Sequence, residues 1–243
     1  MRYCGSKRRF MKHLLPILTE FIDADTTFVD LFGGGMNVVA CIPTPNKIAI
    51  DNNKYIIALW KELQTNGMRN IPMDVTEEEY YAIKDDYVNH KGLYPDYLIG
   101  YVGSALSYGG AWFNGYAKYN PKKNENHVRE AYNGLKKQVE DFIYLQETKF
   151  ICDDYRRRFT GNVVIYCDPP YASTKKYESD FNNDIFWQWV RYTNPQVKAI
   201  YVSEYSAPAD FTCIWQQQKK DGMATTKKGK KQNIKIEKLF IKK

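Results

Sequence analysis

The sequence has few residues that bind metals or form disulfides, and it has no long hydrophobic run. It contains five cysteines and three histidines in 243 residues, and no two cysteines form a C-x-x-C pair. A zinc site or a disulfide framework is therefore not expected. No apolar run approaches the roughly 20 residues that a membrane helix requires, and the first residues lack an apolar secretory stretch. These absences predict a cytoplasmic protein without a metal or a membrane partner.

The charge of the chain is moderately positive, with a formal net charge of +7. This balance fits a polyanionic partner but does not establish one, because many basic proteins bind no nucleic acid. The basic residues form short local clusters, and each cluster alone is more often a solvated surface than a binding site. The clusters are Lys122–Lys123, Arg156–Arg158, Lys175–Lys176 and Lys227–Lys231.

Strand and helix patterns alternate at both ends of the chain. The apolar segment Thr27–Phe32 predicts a buried strand, which runs into the glycine turn Gly33–Gly35 and a predicted helix over Met36–Ala40. A second strand, Lys47–Ile50, follows it. Strand, glycine turn, helix and strand are the beginning of a doubly wound α/β sheet. Later strands are predicted over Asn162–Cys167, Lys198–Ser203 and Ile234–Ile241.

The middle of the chain loses this alternation and becomes rich in Tyr, Asn, Gly and Lys. A helical pattern returns only at Gly134–Gln146. We therefore predict one α/β domain formed by residues 1–59 and 148–243, interrupted by a mostly helical insert over residues 60–147.

Three predicted strands end in an aspartate, at Asp30, Asp51 and Asp168. Ligands of open α/β sheets bind at the carboxyl ends of the strands, so these residues define the candidate site. Asp51 lies about 20 residues after the glycine turn, where a carboxylate can accept hydrogen bonds from both ribose hydroxyls of a nucleoside cofactor. The alternative is that Asp51 caps the helix that begins near Asn53, and the sequence does not decide between the two.

The tetrapeptide Asp168–Tyr171, Asp-Pro-Pro-Tyr, is the most specific feature of the sequence. Two prolines force an extended backbone directly after a strand and remove two N–H donors, which leaves carbonyl groups as outward acceptors. A carboxylate beside such a carbonyl offers two acceptors to one amine, and a tyrosine offers a flat face to a base. This arrangement fits methylation of an exocyclic amine. An ordinary Asp-Pro turn is the alternative, and it is disfavoured because the motif follows an apolar strand.

The motifs and their order resemble those of the Dam-type, D12 class DNA adenine methyltransferases over nearly the whole chain. The segment Tyr3–Lys7 resembles the aromatic-x-Gly-x-Lys motif of that family, Asp30–Met36 its cofactor loop and Ala49–Asn53 its ribose-binding segment. Phe150–Tyr155 resembles the segment that flanks the cofactor adenine, and Asp168–Tyr171 is similar to the catalytic motif. The resemblance implies a Rossmann-like methyltransferase sheet, S-adenosylmethionine as methyl donor and S-adenosylhomocysteine as product.

The resemblance also implies roles for individual residues. Asp168, Pro169 and Tyr171 are the expected catalytic residues. Lys7 is expected to pair with the cofactor's carboxylate, because its ammonium is a compact point charge. Asp153 is an alternative to Asp154 beside the cofactor. The implied cofactor-binding residues are Tyr3, Lys7, Asp30, Phe32, Gly33, Gly35, Asp51, Asp154, Tyr155 and Asp168.

The segment Trp112–Asn120 of the insert resembles the aromatic, basic segment of the family's target-recognition domain. The resemblance implies a monomeric enzyme of the alpha group whose partner is double-stranded DNA. Such an enzyme could belong to a restriction–modification system or serve a phage or a cell. Trp112 and Phe113 are expected to pack inside the insert. The residues expected near the duplex are Asn114, Lys118, Tyr119 and Asn120. The polar segment 173–183 does not align well, so no role is predicted for it.

Two other functions fit parts of the sequence. A methyltransferase of another amine is one, but cytosine-N4 enzymes usually carry Ser-Pro-Pro-Tyr and glutamine-directed enzymes Asn-Pro-Pro-Tyr, so Asp168 favours adenine. A DNA-binding protein with a silent methyltransferase fold is the other. The intact Lys7, Asp51, Asp168 and Tyr171 argue against it.

Overall fold

The computed structural model describes residues 1, 3–120, 124–141, 146–171, 181–192, 196–220 and 234–242. The basic clusters Lys122–Lys123, Lys175–Lys176 and Lys227–Lys231 lie outside these residues, as does most of the segment 173–183. The helices are α1 Met11–Leu18, α2 Lys54–Asn66, α3 Glu77–Asn89, α4 Asp96–Ala105, α5 His127–Asp141 and α6 Asn183–Tyr192. The strands are β1 Thr27–Asp30, β2 Lys47–Asp51, β3 Thr148–Cys152, β4 Gly161–Cys167, β5 Val197–Glu204, β6 Phe211–Lys220 and β7 Ile234–Lys242.

The strands form one seven-stranded sheet in the order β3-β2-β1-β4-β5-β7-β6. Strands β1 to β5 are parallel, whereas β7 runs antiparallel to both β5 and β6. The predicted α/β class is confirmed by this mixed sheet. Because β7 is antiparallel, its first residues lie at the same edge as the carboxyl ends of the parallel strands, with Lys238 opposite Glu204.

Side chains of the strands alternate between two hydrophobic clusters, one on each face of the sheet. In β4, Val164 and Tyr166 join the larger cluster together with residues of α1 and α2, while Ile165 and Cys167 join the smaller cluster with residues of α6. Alternation with period two is the geometry of a strand buried on both faces. Side chains within the strands are therefore taken up by the two clusters, and only residues at the carboxyl ends of the strands remain to form a site.

The helices α3, α4 and α5 lie between β2 and β3 in the chain, where the sequence loses its alternation. They share the larger cluster with the sheet, since Tyr80, Val102 and Leu135 belong to it. Helix α4 packs on α2 at Gly100, where an added Cβ would collide with the backbone of Tyr55. The boundaries of the insert as a domain of its own stay a prediction.

The helix predicted over Met36–Ala40 is wrong. Met36 has a φ of +51°, which an α-helix of L-residues does not accommodate, and only a single 3-10 turn forms, at Val39–Cys41. Pro43 and Pro45 follow it closely and prevent continuation of a helix. Among the described residues, no helix is long and apolar enough to cross a membrane.

Candidate active site

The acidic motif after β4 is bound by a lysine from the start of the chain. Lys7 Nζ lies 2.7 Å from both carboxylate oxygens of Asp168 and donates a further hydrogen bond to Gly5 O at 3.2 Å. Lys7 is 4 % exposed and Asp168 is 19 % exposed. Burial raises the pKa of Asp168, and the Lys7 ammonium opposes that rise. The ion pair therefore offsets part of the cost of burying this carboxylate at the carboxyl edge of the sheet.

The aromatic residue of the motif is held on several sides. The Tyr171 hydroxyl donates to Glu237 Oε2 at 2.8 Å, and its ring meets the Tyr205 ring edge-on with centroids 4.5 Å apart. Lys7 Nζ lies 4.8 Å from the centroid of the Tyr171 ring. Burial and the neighbouring carboxylates of Asp168 and Glu237 raise the pKa of Tyr171, so its hydroxyl stays protonated and acts as a donor.

Cys167 precedes the motif but points into the smaller hydrophobic cluster and is fully buried. Burial raises the pKa of its thiol well above the usual range. A buried, protonated thiol is a poor nucleophile. Cys167 is therefore not a candidate nucleophile at this edge.

The glycine turn after β1 is covered by the ring of Tyr3. A Cβ added at Gly34 would lie 2.5 Å from Tyr3 Cε1, and one added at Gly35 would lie 2.8 Å from Tyr3 Cβ. Gly34 also has a φ of +44°. The turn is fastened by hydrogen bonds from Trp60 Nε1 to Gly34 O at 3.0 Å and from Gln138 Nε2 to Gly35 O at 2.9 Å.

Asp51 fastens the same turn from the end of β2. Its Oδ2 accepts the N–H of Gly34 at 2.9 Å and its Oδ1 accepts the N–H of Asn53 at 2.8 Å. The cap of α2 is Asn53, whose side chain accepts from Tyr55 N and Ile56 N. Asp51 is therefore not the helix cap, and its carboxylate stands beside the glycine turn. Burial raises its pKa.

Asp30 at the end of β1 is buried, 2 % exposed. Its Oδ2 accepts a long bond of 3.4 Å from Val39 N, while Oδ1 has no hydrogen-bond partner within the described ranges. Burial, reinforced by the charge of Asp168, raises the pKa of Asp30 to about 7. An unsatisfied buried carboxylate oxygen among other carboxylates fits a bound group that carries a positive charge.

Phe32 and the segment after β3 form an aromatic wall. The Phe32 and Tyr155 rings stack with centroids 5.7 Å apart, and both contact Phe186. The two acidic residues beside Tyr155 are paired on the surface. Asp154 Oδ1 binds Arg156 Nε at 2.7 Å, and Asp153 Oδ2 binds Arg157 Nη1 at 2.8 Å. The sequence alternative between Asp153 and Asp154 stays open.

The four insert residues expected near DNA lie in one irregular segment. Lys118 is 69 % exposed and pairs with Glu77 at 2.8 Å. Tyr119 is exposed and donates to Asn124 Oδ1 at 2.7 Å. Asn120 pairs with Glu125 in an isolated bridge, and Asn114 Nδ2 donates to Tyr108 O at 3.4 Å.

Two neighbouring aromatic residues of that segment pack inward, as the sequence predicts. Phe113 is 6 % exposed and stacks on Tyr87, while Trp112 stacks on Tyr55. Gly110, two residues before this segment, lies close to the start of the chain, because Cys4 N donates to Gly110 O at 3.0 Å. This hydrogen bond connects the insert to the N-terminal segment that contains Tyr3 and Lys7.

Two residues of this edge were not predicted from the sequence. Gln138 of α5 binds the glycine turn, and Glu237 of β7 binds Tyr171. Both lie far along the chain from their partners, and although the segment Glu237–Phe240 resembles one of the closing strands of the D12 class, that resemblance assigns no role to Glu237. Only the folded chain brings them to the site.

Known proteins resemble this chain in sequence. The family described as D12 class N6 adenine-specific DNA methyltransferase matches residues 3–208. The Type II methyltransferase M.FokI of Planomicrobium okeanokoites is 26% identical over 209 residues, which are 79% of this chain and 31% of that protein. The modification methylase StsI of Streptococcus sanguinis is 27% identical over 208 residues, 75% of this chain and 31% of that protein. The chain thus spans about a third of the length of these curated relatives.

Two solved structures resemble the chain more distantly. A putative methyltransferase, yhhF, from Escherichia coli matches with a TM-score of 0.39 and 9% identity, covering 99% of this chain and 89% of that one. The rRNA methyltransferase aviRa from Streptomyces viridochromogenes matches with a TM-score of 0.45 and 11% identity, covering 98% of this chain and 85% of that one.

Proposed function

The chain belongs to the D12 class of N6 adenine-specific DNA methyltransferases, and from this premise we propose that it transfers a methyl group from S-adenosylmethionine to the N6 amine of an adenine in double-stranded DNA. The observation that carries the proposal is the placement of Asp168 and Tyr171 together at the carboxyl edge of the sheet, directly after β4. The two curated relatives are named as a type II methyltransferase and a modification methylase, which supports site-specific methylation of DNA as the class of activity.

Asp168 and Pro169 have the chemistry to hold the target amine. The carboxylate of Asp168 and the carbonyl of Pro169 each accept one amine proton, so the nitrogen lone pair points at the methyl group. When bound, S-adenosylmethionine would supply an electrophilic methyl group, with the N–CH₃ bond forming as the S–CH₃ bond breaks to leave a neutral thioether, and the released amine proton would pass to solvent. Because the attacking atom is only positioned, most of the rate gain is geometric. No covalent enzyme intermediate is required, in keeping with the buried Cys167.

The target base has to leave the DNA helix, because pairing hides its amine. Tyr171 offers the ring on which the flipped adenine stacks, an interaction worth about 1–3 kcal/mol per base. Lys7 now holds both oxygens of Asp168. The Lys7 ammonium therefore has to release the Asp168 carboxylate when the target amine binds. The carboxylate of the methyl donor then offers Lys7 another anion to pair with. This agrees with the role that the family resemblance implies for Lys7.

The residues at this edge fit S-adenosylmethionine. The donor carries a sulfonium cation, and the edge holds the carboxylates of Asp30, Asp51 and Asp168, of which Asp30 has an oxygen without a partner among the described residues. Asp51 would hold the ribose, Phe32 and Tyr155 would flank the adenine of the donor, and Tyr3 with Gly33 and Gly35 would line the turn. Asp154 or Asp153 would complete the site.

We further assign DNA recognition to the segment that contains Asn114, Lys118, Tyr119 and Asn120. Asparagine pairs bidentately with adenine in the major groove, and lysine contacts phosphate or guanine. The exposure of Lys118 and Tyr119 supports this, as does the link of the segment to the start of the chain through Gly110.

The experiment that tests the function is methyl transfer to DNA, followed by analysis of the product. Purified protein is incubated with tritium-labelled S-adenosylmethionine and unmethylated plasmid DNA, and the DNA is digested to nucleosides. Label in N6-methyladenosine is the expected result. Label in N4-methylcytosine would assign the enzyme to cytosine, and no label above a reaction without DNA would indicate a silent fold.

A further inference from the structure

Glu237 is a carboxylate buried at the site on a strand outside the parallel part of the sheet. Strand β7 begins at the carboxyl edge, and Glu237 lies one residue before Lys238, which is opposite Glu204 of β5. The residue is 1 % exposed. A charge buried to this degree is costly unless it is paired and hydrogen-bonded. Its partners therefore indicate why it is there.

The contacts of Glu237 reach two residues of the site. Its Oε2 accepts the Tyr171 hydroxyl at 2.8 Å and lies 3.8 Å from Lys7 Nζ. The Lys7 ammonium is closer to Asp168, at 2.7 Å from each oxygen. The shorter and better-defined contact of Glu237 is thus the one with Tyr171.

This contact fixes the Tyr171 ring from its far end. The ring is attached to the backbone at Cβ, and the hydroxyl at the opposite end is bound by Glu237. The Tyr205 ring blocks one side, with an interplanar angle of 79°. Holding both ends fixes the long axis of the ring, while the Tyr205 ring and the preference of a phenolic O–H for the ring plane restrict rotation about that axis. The ring therefore keeps one orientation, which is what a stacking platform needs if the base is to arrive in one pose.

We propose that Glu237 is a positioning residue for methyl transfer, which holds Tyr171 through its hydroxyl so that the ring meets the flipped adenine in a fixed orientation. This inference rests on the proposed function. It makes a hydrogen-bond acceptor at position 237, rather than a negative charge, the property that the reaction needs.

The test compares Glu237→Gln, Glu237→Ala, Tyr171→Phe and the double variant Glu237→Ala/Tyr171→Phe. Glutamine keeps an acceptor oxygen for the hydroxyl, alanine removes it, and phenylalanine removes the donor. Steady-state transfer to unmethylated plasmid DNA gives kcat and KM, and calorimetric binding of S-adenosylmethionine gives the folded, competent fraction to which kcat is normalised. The exposed Glu20 provides Glu20→Ala as a matched control.

We expect Glu237→Ala and Tyr171→Phe each to lower kcat by about tenfold, the scale of one hydrogen bond that is needed in the transition state. The double variant should be no worse than either single one, because both remove the same bond. The kcat of Glu237→Gln should stay within about threefold of that of the wild type. The kcat of Glu20→Ala should equal that of the wild type.

If the normalised kcat of Glu237→Gln fell as far as that of Glu237→Ala, Glu237 would serve only to balance the charge of Lys7. The same conclusion would follow if the losses of kcat in Glu237→Ala and Tyr171→Phe multiplied in the double variant. Either outcome overturns the inference, as does a normalised kcat of Glu237→Ala equal to that of the wild type. These failures are distinct from failure of the proposed function, in which the wild-type protein itself forms no N6-methyladenosine.

Discussion

The carboxylate of Asp51 at the end of β2 is bonded to the backbone of Gly34 in the turn after β1, with Oδ2 2.9 Å from the N–H. Its second oxygen accepts the N–H of Asn53. Asp51 thus links the end of β2 to the turn after β1. We propose that this carboxylate also accepts the ribose hydroxyls of the cofactor.

Asp51→Ala should weaken binding of S-adenosylmethionine by roughly tenfold or more, because hydrogen bonds to a charged acceptor contribute about 1.5–3 kcal/mol each. Isothermal calorimetry measures the affinity directly. Asp25→Ala is the control, since Asp25 is exposed on a loop before β1. Unchanged affinity in Asp51→Ala would remove Asp51 from the cofactor site.

Gly34→Ala should destabilise the fold more than Gly67→Ala. Both glycines have positive φ, +44° and +59°, so both variants carry backbone strain of roughly 1–3 kcal/mol. Only at Gly34 does the added Cβ also meet a side chain, the ring of Tyr3 at 2.5 Å, whereas nothing lies within 4 Å at Gly67.

Urea unfolding of the two variants measures this difference. A Tyr3→Ala background removes the colliding ring and should bring the cost of Gly34→Ala close to that of Gly67→Ala. Equal costs of the two glycine variants in the wild-type background would show that the Tyr3 ring does not press on the turn.

Stability should fall between about pH 4 and pH 7 through Asp30. The unfolded carboxyl loses its proton near pH 3.9, whereas burial and the charge of Asp168 raise the folded pKa to about 7. In this window the folded state binds more protons than the unfolded state, so the free energy of unfolding decreases as the pH rises. The contribution is at most about 4 kcal/mol.

Asp30→Asn cannot ionise and should lose this dependence. Urea unfolding of the wild type and the variant at pH 5 and at pH 8 gives the comparison. The stability of the variant relative to the wild type should be greater at pH 8 than at pH 5. A difference that is the same at both pH values would show that Asp30 titrates normally.

Lys118→Ala should reduce affinity for DNA and flatten its dependence on salt, by about one unit of slope for one lost phosphate contact. Lys136→Ala is the matched control, because Lys136 is likewise exposed and paired with a glutamate, Glu140. Titration of labelled duplex DNA at several salt concentrations measures the affinity and its salt dependence for both variants. If the two variants behave alike, the segment around Lys118 is structural.

Local signals made much of the site predictable from the sequence. The strand before Asp168, the glycine turn after Asp30 and the position of Asp51 each depend on a few neighbouring residues, and the parallel sheet then brings them to one edge. The alternative that Asp51 caps a helix could not be excluded without the structure, because Asn53 serves that role two residues later.

Other features depend on tertiary contacts and could not be predicted. The strand β7 was predicted, but its alternating pattern did not reveal that Glu237 is buried while Ile236 is 39 % exposed. The partners of Glu237 come from the beginning and the middle of the chain. Strands β3 and β6 were not predicted, and the helix over Met36–Ala40 was wrong because the left-handed Met36 breaks it.

The most direct test of the account is a comparison of Asp168→Ala with Cys167→Ser in the transfer of tritium from S-adenosylmethionine to DNA. Circular dichroism verifies that each variant is folded, and Cys167→Ala replaces the serine variant if the buried hydroxyl impairs folding. We predict that Asp168→Ala forms no N6-methyladenosine, because the amine loses its carboxylate acceptor, while the cysteine variant retains activity. A folded Asp168→Ala that still methylates adenine, together with a folded cysteine variant that does not, would contradict the mechanism.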